Sequence, residues 1–302
     1  MPLHSRPLLR AALAAVCALA APACSDRGGC ATAPTIAVLG AFPGELAALL
    51  DRSQVEEEVA LGDKVMRLGT LGGVRVVVGM TGIGLINARA TTEAVIERFA
   101  PDGVVMAGVA GSPYRIGDVA VPEAWYLVDD RTHPVDPRWL ELARDIARPG
   151  GVALEQCVEV PPELAAGPVC MPEPLALLVG GTGQSSDPFG GRPLVCSPDG
   201  HPVFGCDVGD SSGAAPAGFG PDAEHPAQDE YVAVDMESAA VARAAAAAGL
   251  RFIAFRAVSD GANDPLGLPG FPAQFFAYYP LAASNAAAAA TAFLERLDAS
   301  CP

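Results

Sequence analysis

Positive charge is scarce in this sequence. Nineteen Lys and Arg residues face 35 Asp and Glu across 302 positions, a formal net charge of -16, and only 18% of residues are charged. No basic patch offsets the acids. Nucleic acid is therefore excluded as a partner, because its phosphates need Lys and Arg counter-charge. Zinc-type ligand spacing is also lacking: there is no CxxC pair and no His–Cys cluster, so neither a metal nor a cofactor is expected. No GxSxG elbow supports a serine hydrolase reading of Ser185, Ser186 and Asp187. His4 lies in the leader, and His133, His201 and His225 sit beside prolines in loop-rich sequence, where they read as solvated rather than catalytic. There is no internal repeat.

Apolar residues are abundant, at 51%. That is enough to bury a full core, and one large α/β domain fits better than two small ones. Trp125 and Trp139 read as packing residues.

The first residues do not read as fold. His4, Arg6 and Arg10 give a positive start, Ala11 to Ala21 is apolar, and Ala21-Pro22-Ala23 offers a small-residue cleavage site. This is the layout of a secretory signal over residues 1–23, too short for a comfortable transmembrane helix. Its removal takes away two arginines and no acids, moving the net charge from -16 to -18. Cys24 follows directly and resembles a bacterial lipoprotein lipidation site. Two outcomes stay open: attachment to a membrane through Cys24, or ordinary cleavage with a free or paired thiol. Either way the protein is expected to be exported, periplasmic or membrane-anchored. An even set of cysteines in an exported chain suggests disulfides. Sequence-near pairing gives Cys157–Cys170 and Cys196–Cys206, leaving Cys30 with Cys301.

Residues 24–34 read as a tether and 35–300 as the domain. Thr35–Leu39 and Val74–Val78 are β-branched apolar runs that read as buried strands. Pro43 suits a first helical turn, continued by Glu45–Leu50. Asn87–Phe99 has helical spacing, and Gly103–Met106 is a further short strand. The rhythm returns with a helix at Met236–Ala248, a strand at Phe252–Val258 and a helix at Ser284–Leu297. Strand, glycine turn, helix, strand is the pattern of a βαβ unit. Residues 149–230 differ: rich in Pro, Gly, Ser and Asp, with four cysteines, they read as loops held by disulfides around one strand, Leu175–Val179. The aromatic run Phe271–Tyr279 suits a dimer surface, a pocket lid or core packing.

In open α/β sheets, ligands collect at the carboxyl ends of strands. Four glycine turns end strands here: Gly40–Glu45, Thr81–Gly84, Ala107–Gly111 and Ser259–Asp264. The Val234-Asp235-Met236-Glu237 segment brings two carboxylates to the same rim. Each signal alone has a bland reading. Glu45 in a first helical turn is favoured by the helix dipole, by about 0.5 kcal/mol. Asp260 can cap a turn, and Glu237 sits where acids are common.

The order of these segments resembles the methylthioadenosine/S-adenosylhomocysteine nucleosidase branch of the nucleoside phosphorylase superfamily. The resemblance is carried by IAVLGAFPGEL (36–46), TGIGLINARATTEAVIERFAPDGVVMAGVAG (81–111), RIGDVAVPEA (115–124), SSDPF (185–189) and VAVDMESAAVARAAAAAGLRFIAFRAVSD (232–260). It implies a three-layer αβα fold around a mixed, mostly parallel sheet in a single domain. It implies cleavage of the N-glycosidic bond of a purine nucleoside, with Glu45 activating water and Asp260 protonating the base at N7. Glu237 would bind ribose hydroxyls, Met236 would pack on the sugar and Phe189 would stack on the base. Ala110 and Gly111 would lie by the base, and Val234, Asp235 and Ser259 belong to the same substrate-binding segments. Relatives imply a homo-oligomer, a dimer in the simplest case.

The chemistry fits these roles. Breaking the bond builds positive charge on the ribose and negative charge on the base. A protonated acid at N7 improves the leaving group, a carboxylate near the sugar stabilises the oxocarbenium-like state, and a base turns water into an adequate nucleophile. The sequence departs from the nucleosidase pattern at Asp235, Val109 and Leu85, and in the insertion, which leaves the substrate open. Two other readings stay open. A phosphorylase needs Arg or Lys for phosphate; VVMAGVAG supplies none, but Arg89, Arg115 and Arg256 remain. A non-catalytic nucleoside-binding or storage protein would not need the acid–base set.

Overall fold

The computed structural model describes residues 34–127, 132–198, 200–208 and 231–300. The leader, Cys24, Cys30 and Cys301 lie outside these residues. Their chain order is β1 (Thr35–Gly40), α1 (Pro43–Leu50), β2 (Gln54–Leu61), β3 (Lys64–Leu71), β4 (Val74–Met80), α2 (Leu85–Phe99) and β5 (Gly103–Arg115). There follow β6 (Val119–Val121), β7 (Ala124–Leu127), β8 (His133–Pro134), α3 (Pro137–Ile146), β9 (Cys157–Val158), β10 (Val169–Cys170), β11 (Leu177–Val179) and β12 (Thr182–Ser185). The chain ends with β13 (Ala233–Asp235), α4 (Ser238–Ala247), β14 (Arg251–Ala262) and α5 (Ala273–Ala299).

One mixed sheet forms the middle layer, in the order β2-β3-β4-β1-β5-β13-β12-β7-β8, with β14 branching from β5 and followed by β6 and β11. Its centre is parallel: β1 lies between β4 and β5, and β14 runs alongside β5. These strands are covered on both faces, so they read as continuous Val, Ile, Leu and Ala runs. Helices α1 and α3 pack with α5, and α2 packs with α4. Wholly buried side chains such as Ile36, Leu39 and Phe255 each contribute roughly 1.5–3 kcal/mol. The small residues Ala286–Ala290 let α5 lie close on the sheet, while Phe293 meets Trp139 and Phe255 at 5.3 and 5.4 Å between ring centres. Both tryptophans are buried in the core, as their packing role requires.

Several elements depart from the sequence expectation. β5 and β14 do not stop at glycine turns. They continue through Gly108 and Gly111, and through Ser259 and Asp260, paired to each other with register shifts on either side of Asp260. A bulge of this kind re-aims a side chain without ending the ladder. The run Phe271–Tyr279 is largely helical and opens α5, which carries Pro280 in its interior. The β2–β3 hairpin was not expected, because the exposed acidic run Glu56–Glu58 masks the apolar pattern.

The described part of the 149–230 segment is also more ordered than a run of loops, and 209–230 lie outside the described residues. β11 and β12 both join the central sheet. Cys157–Cys170 closes across the β9–β10 ladder, which packs its valines on Tyr278 and Leu281 of α5. Cys196–Cys206 closes a second loop. Both short-range pairings follow the sequence expectation.

Candidate active site

The site lies where β1, β4, β5 and β14 present their carboxyl ends. Glu45 stands in the first turn of α1, yet it is no solvated dipole acid, being only 2% exposed. One carboxylate oxygen accepts the Ala41 N–H, and the other accepts the Val109 N–H at 2.7 Å. The approach is possible only because residue 108 lacks a side chain: a Cβ on Gly108 would fall 2.1 Å from Glu45 Oε1 and 2.4 Å from an Arg256 nitrogen. Burial pushes the Glu45 carboxyl above its ordinary range, against the pull of Arg256 and the two N–H donors.

Arg256, within β14, is fully buried. Its Nε lies 2.8 Å from Asp235, while its terminal nitrogens reach Glu45 at 3.5 Å and Glu237 at 3.4 Å. One guanidinium thus faces three carboxylates. Asp235 also receives the N–H groups of Glu237 and Ser238 at 3.1 and 3.2 Å and the Ser185 hydroxyl, which fastens the start of α4 to β12. Glu237 accepts the Gly84 N–H at 2.8 Å. Gly84 has φ 95°, which favours glycine, and its amide is thereby aimed across the cleft. Burial pushes Glu237 up to about 8, with Arg256 opposing and Asp235 and Glu45 reinforcing.

Asp260, 3% exposed, sits in the β14 bulge and accepts the Ser259 hydroxyl at 2.8 Å. It shares a cleft of about 490 Å³ with Glu45 and Glu237. Ala110, Gly111 and Ser259 line the same cleft, as do Val234, Asp235 and Met236. Phe189 is the exception. Asp187 accepts its backbone N–H at 2.9 Å and curls the segment, and the ring rests over Gly84, outside the cleft lining. The rings that do line the cleft are Phe42, Phe271 and Phe275. Of the three readings of the 271–279 aromatic run, two of its rings therefore serve the cleft wall.

Arg256 is the functional residue that sequence reasoning left as a mere possibility. Its signal was a lone cation inside an otherwise apolar strand, FIAFRAV, where a charge persists only if paired. Val203 also lines the cleft, and it comes from the Cys196–Cys206 loop. That loop is anchored beside Glu45: the Pro202 carbonyl accepts the Gly44 N–H at 2.7 Å. Rather than standing solvated in a loop, His201 is half-buried and accepts the N–H groups of Val203 and Phe204 at 3.0 and 3.1 Å.

The phosphorylase superfamily sequence profile matches residues 35–171 and 220–295. This chain belongs to the phosphorylase superfamily. Within it, an uncharacterised Mycobacterium tuberculosis protein is 35% identical over 230 residues, covering 67% of this chain and 89% of that protein. A 5′-methylthioadenosine/S-adenosylhomocysteine nucleosidase of Shewanella oneidensis is 28% identical over 266 residues, 87% of this chain and 97% of the enzyme. Among solved structures, the corresponding nucleosidase of Neisseria meningitidis, in complex with methylthio-immucillin-A, superposes with a TM-score of 0.60 at 23% identity, covering 87% and 99% of the two chains. Futalosine hydrolase of Helicobacter pylori gives 0.59 at 19% identity over 87% and 98%. At these identities the structural matches establish the superfamily fold: a single domain with a mixed sheet and flanking helices.

Proposed function

We propose that this protein is a nucleosidase that hydrolyses the N-glycosidic bond of a purine nucleoside. The observation that carries the reading is the convergence of Glu45, Glu237 and Asp260, far apart along the chain, on one aromatic-walled cleft. In the reaction, Asp260 gives a proton to purine N7, the bond from C1′ to the base breaks, and its electron pair leaves with the base. Water adds to C1′ while Glu45 takes its proton, so the products are free base and a ribose bearing a 1′-hydroxyl. Glu237 holds the ribose hydroxyls. Its acceptor capacity and that of Glu45 stabilise the positive charge developing on the sugar. The raised Glu45 carboxyl suits a general base, whose best pKa lies near the working pH.

Hydrolysis is favoured over phosphorolysis by the state of the three candidate cations. Arg256 is held by three carboxylates, Arg89 pairs with Glu93 at 2.8 Å, and Arg115 pairs with Asp118 and Glu173 at 2.9 and 2.8 Å. None of the three lines the cleft to meet a phosphate dianion. A storage protein, in turn, has no use for a water-activating base opposite a proton donor. The deciding assay is release of free base from a purine nucleoside panel with and without phosphate. Turnover without phosphate is expected; strict dependence on phosphate overturns hydrolysis, and binding without turnover overturns catalysis.

A further inference from the structure

We propose that the cleft continues into a second chamber that receives an anionic group on the 5′ carbon of the nucleoside, with Lys64 as its counter-ion. This rests on the nucleoside reading above and names the substrate class more closely.

The chamber shares Ile83 and Val203 with the cleft. Its position follows from the backbone that walls it. Ala41, whose N–H holds Glu45, lines it, as do Gly82 and Ile83, which lead into the Gly84 amide that holds Glu237. Neither Ser259 nor Asp260 does. The chamber therefore opens from the sugar end of the cleft, away from the base, which is where a 5′ substituent departs from a ribose.

The insertion builds its far wall. The Asn87 amide donates to the Ile83 carbonyl at 2.9 Å and to the Leu194 carbonyl at 2.8 Å, tying the insert to the start of α2. Cys196, in the wall itself, is locked to Cys206. The opposite wall is the β2–β3 turn, with Asp63 and Lys64.

Lys64 is the sole lysine of the chain. It is half-buried and forms no ion pair among the described residues. Arg67, three residues on, is by contrast matched by Glu58 at 3.1 Å and Asp207 at 2.8 Å. Asp63 stands exposed at the turn, where water screens its charge. The main cleft, with three carboxylates around one guanidinium and Asp260 beside them, disfavours an anion. A phosphate or carboxylate carried at a distance from the sugar finds an unmatched cation, Lys64, in the chamber wall, and an ammonium serves either group as a point charge.

The test uses the full chain with its disulfides intact. Purine nucleosides bearing a 5′-hydroxyl, a 5′-carboxylate or a 5′-phosphate are compared by calorimetric binding and by base release. At least one anionic form is expected to bind roughly tenfold or more tightly than the 5′-hydroxyl form, the two anionic arms showing which group fits. Lys64→Ala should reduce that preference to about one and Lys64→Glu should reverse it, through KM rather than kcat. Equal binding of all three forms, no binding, or a preference that survives Lys64→Ala overturns the chamber. Lys64-dependent binding without base release leaves the chamber standing and overturns the hydrolase; base release without 5′ preference does the reverse.

Discussion

Two regions of this molecule solve the same problem by different means. The βαβ frame holds its part of the site with buried apolar strands, and its charges are matched internally around Arg256. The 193–207 insert sinks only Val203 and Phe204 into the core and is otherwise held by a disulfide, a partly buried ion pair and hydrogen bonds to the frame. The frame carries Glu45, Glu237 and Asp260. The insert adds Val203 to the cleft and most of a wall to the chamber beside it. On the proposed reading, chemistry and substrate choice thus sit on parts held in place by different means.

The comparison breaks most sharply at the acids. Asp260→Asn and Glu45→Gln keep shape and hydrogen-bonding capacity, and each should lower base release by roughly 10²–10⁴-fold while leaving nucleoside binding measurable. Steady-state kinetics with calorimetry checks this, and near-normal turnover in either variant removes that residue from the mechanism. Arg256→Met should cost about 3–5 kcal/mol of stability, because it strands three buried carboxylates. Denaturant melts test it; a variant as stable as the parent would mean that the frame does not depend on its internal charge match.

The buried acids also give the frame a pH signature. Glu237 is raised from 4.5 to about 8, so the folded state binds more protons than the unfolded state between those values. Stability should be greatest at the acid side of this window and fall as pH rises toward 8, by a few kcal/mol at most, roughly the 1.4 kcal/mol per unit of a single shifted group. Thermal melts across pH 5–8 would show the slope, and Glu237→Gln should flatten it. The insert should be indifferent to that window and sensitive to thiols instead. Opening Cys196–Cys206 should release about 2–3 kcal/mol of loop constraint. It should raise KM more than it lowers kcat, with limited proteolysis cutting near 193–207 before the sheet is lost. Unchanged KM in a Cys196→Ser/Cys206→Ser variant would separate the insert from substrate binding.

The frame was largely legible from sequence because its strands are covered on both faces: TIAVL and VRVVV show in composition what burial demands. The three acids were legible only through their order along the chain, since each alone has a local explanation. What escaped was long-range. β5 and β14 run on through glycine, serine and aspartate because each is the other's hydrogen-bonding partner, a support no local window contains. α5 was read short because Pro280 breaks the helical pattern without breaking the helix. Phe189 was placed on the base by analogy, whereas Asp187 turns the segment toward Gly84. The matching of Arg256 to carboxylates from three separate elements could be anticipated only as a need, not as a set of partners.

The β5–β14 ladder has a consequence for how a ligand gets in. Eight consecutive parallel registers, from Arg251↔Gly103 to Val258↔Ala110, tie together the strands that carry Arg256 and lead into Asp260. Amide hydrogens along this seam should be among the last in the molecule to exchange with solvent. The floor of the cleft is therefore the part of the wall that yields least to a ligand. On the proposed reading, the side of the cleft left free to adjust to a ligand is the one where the Cys196–Cys206 loop contributes Val203.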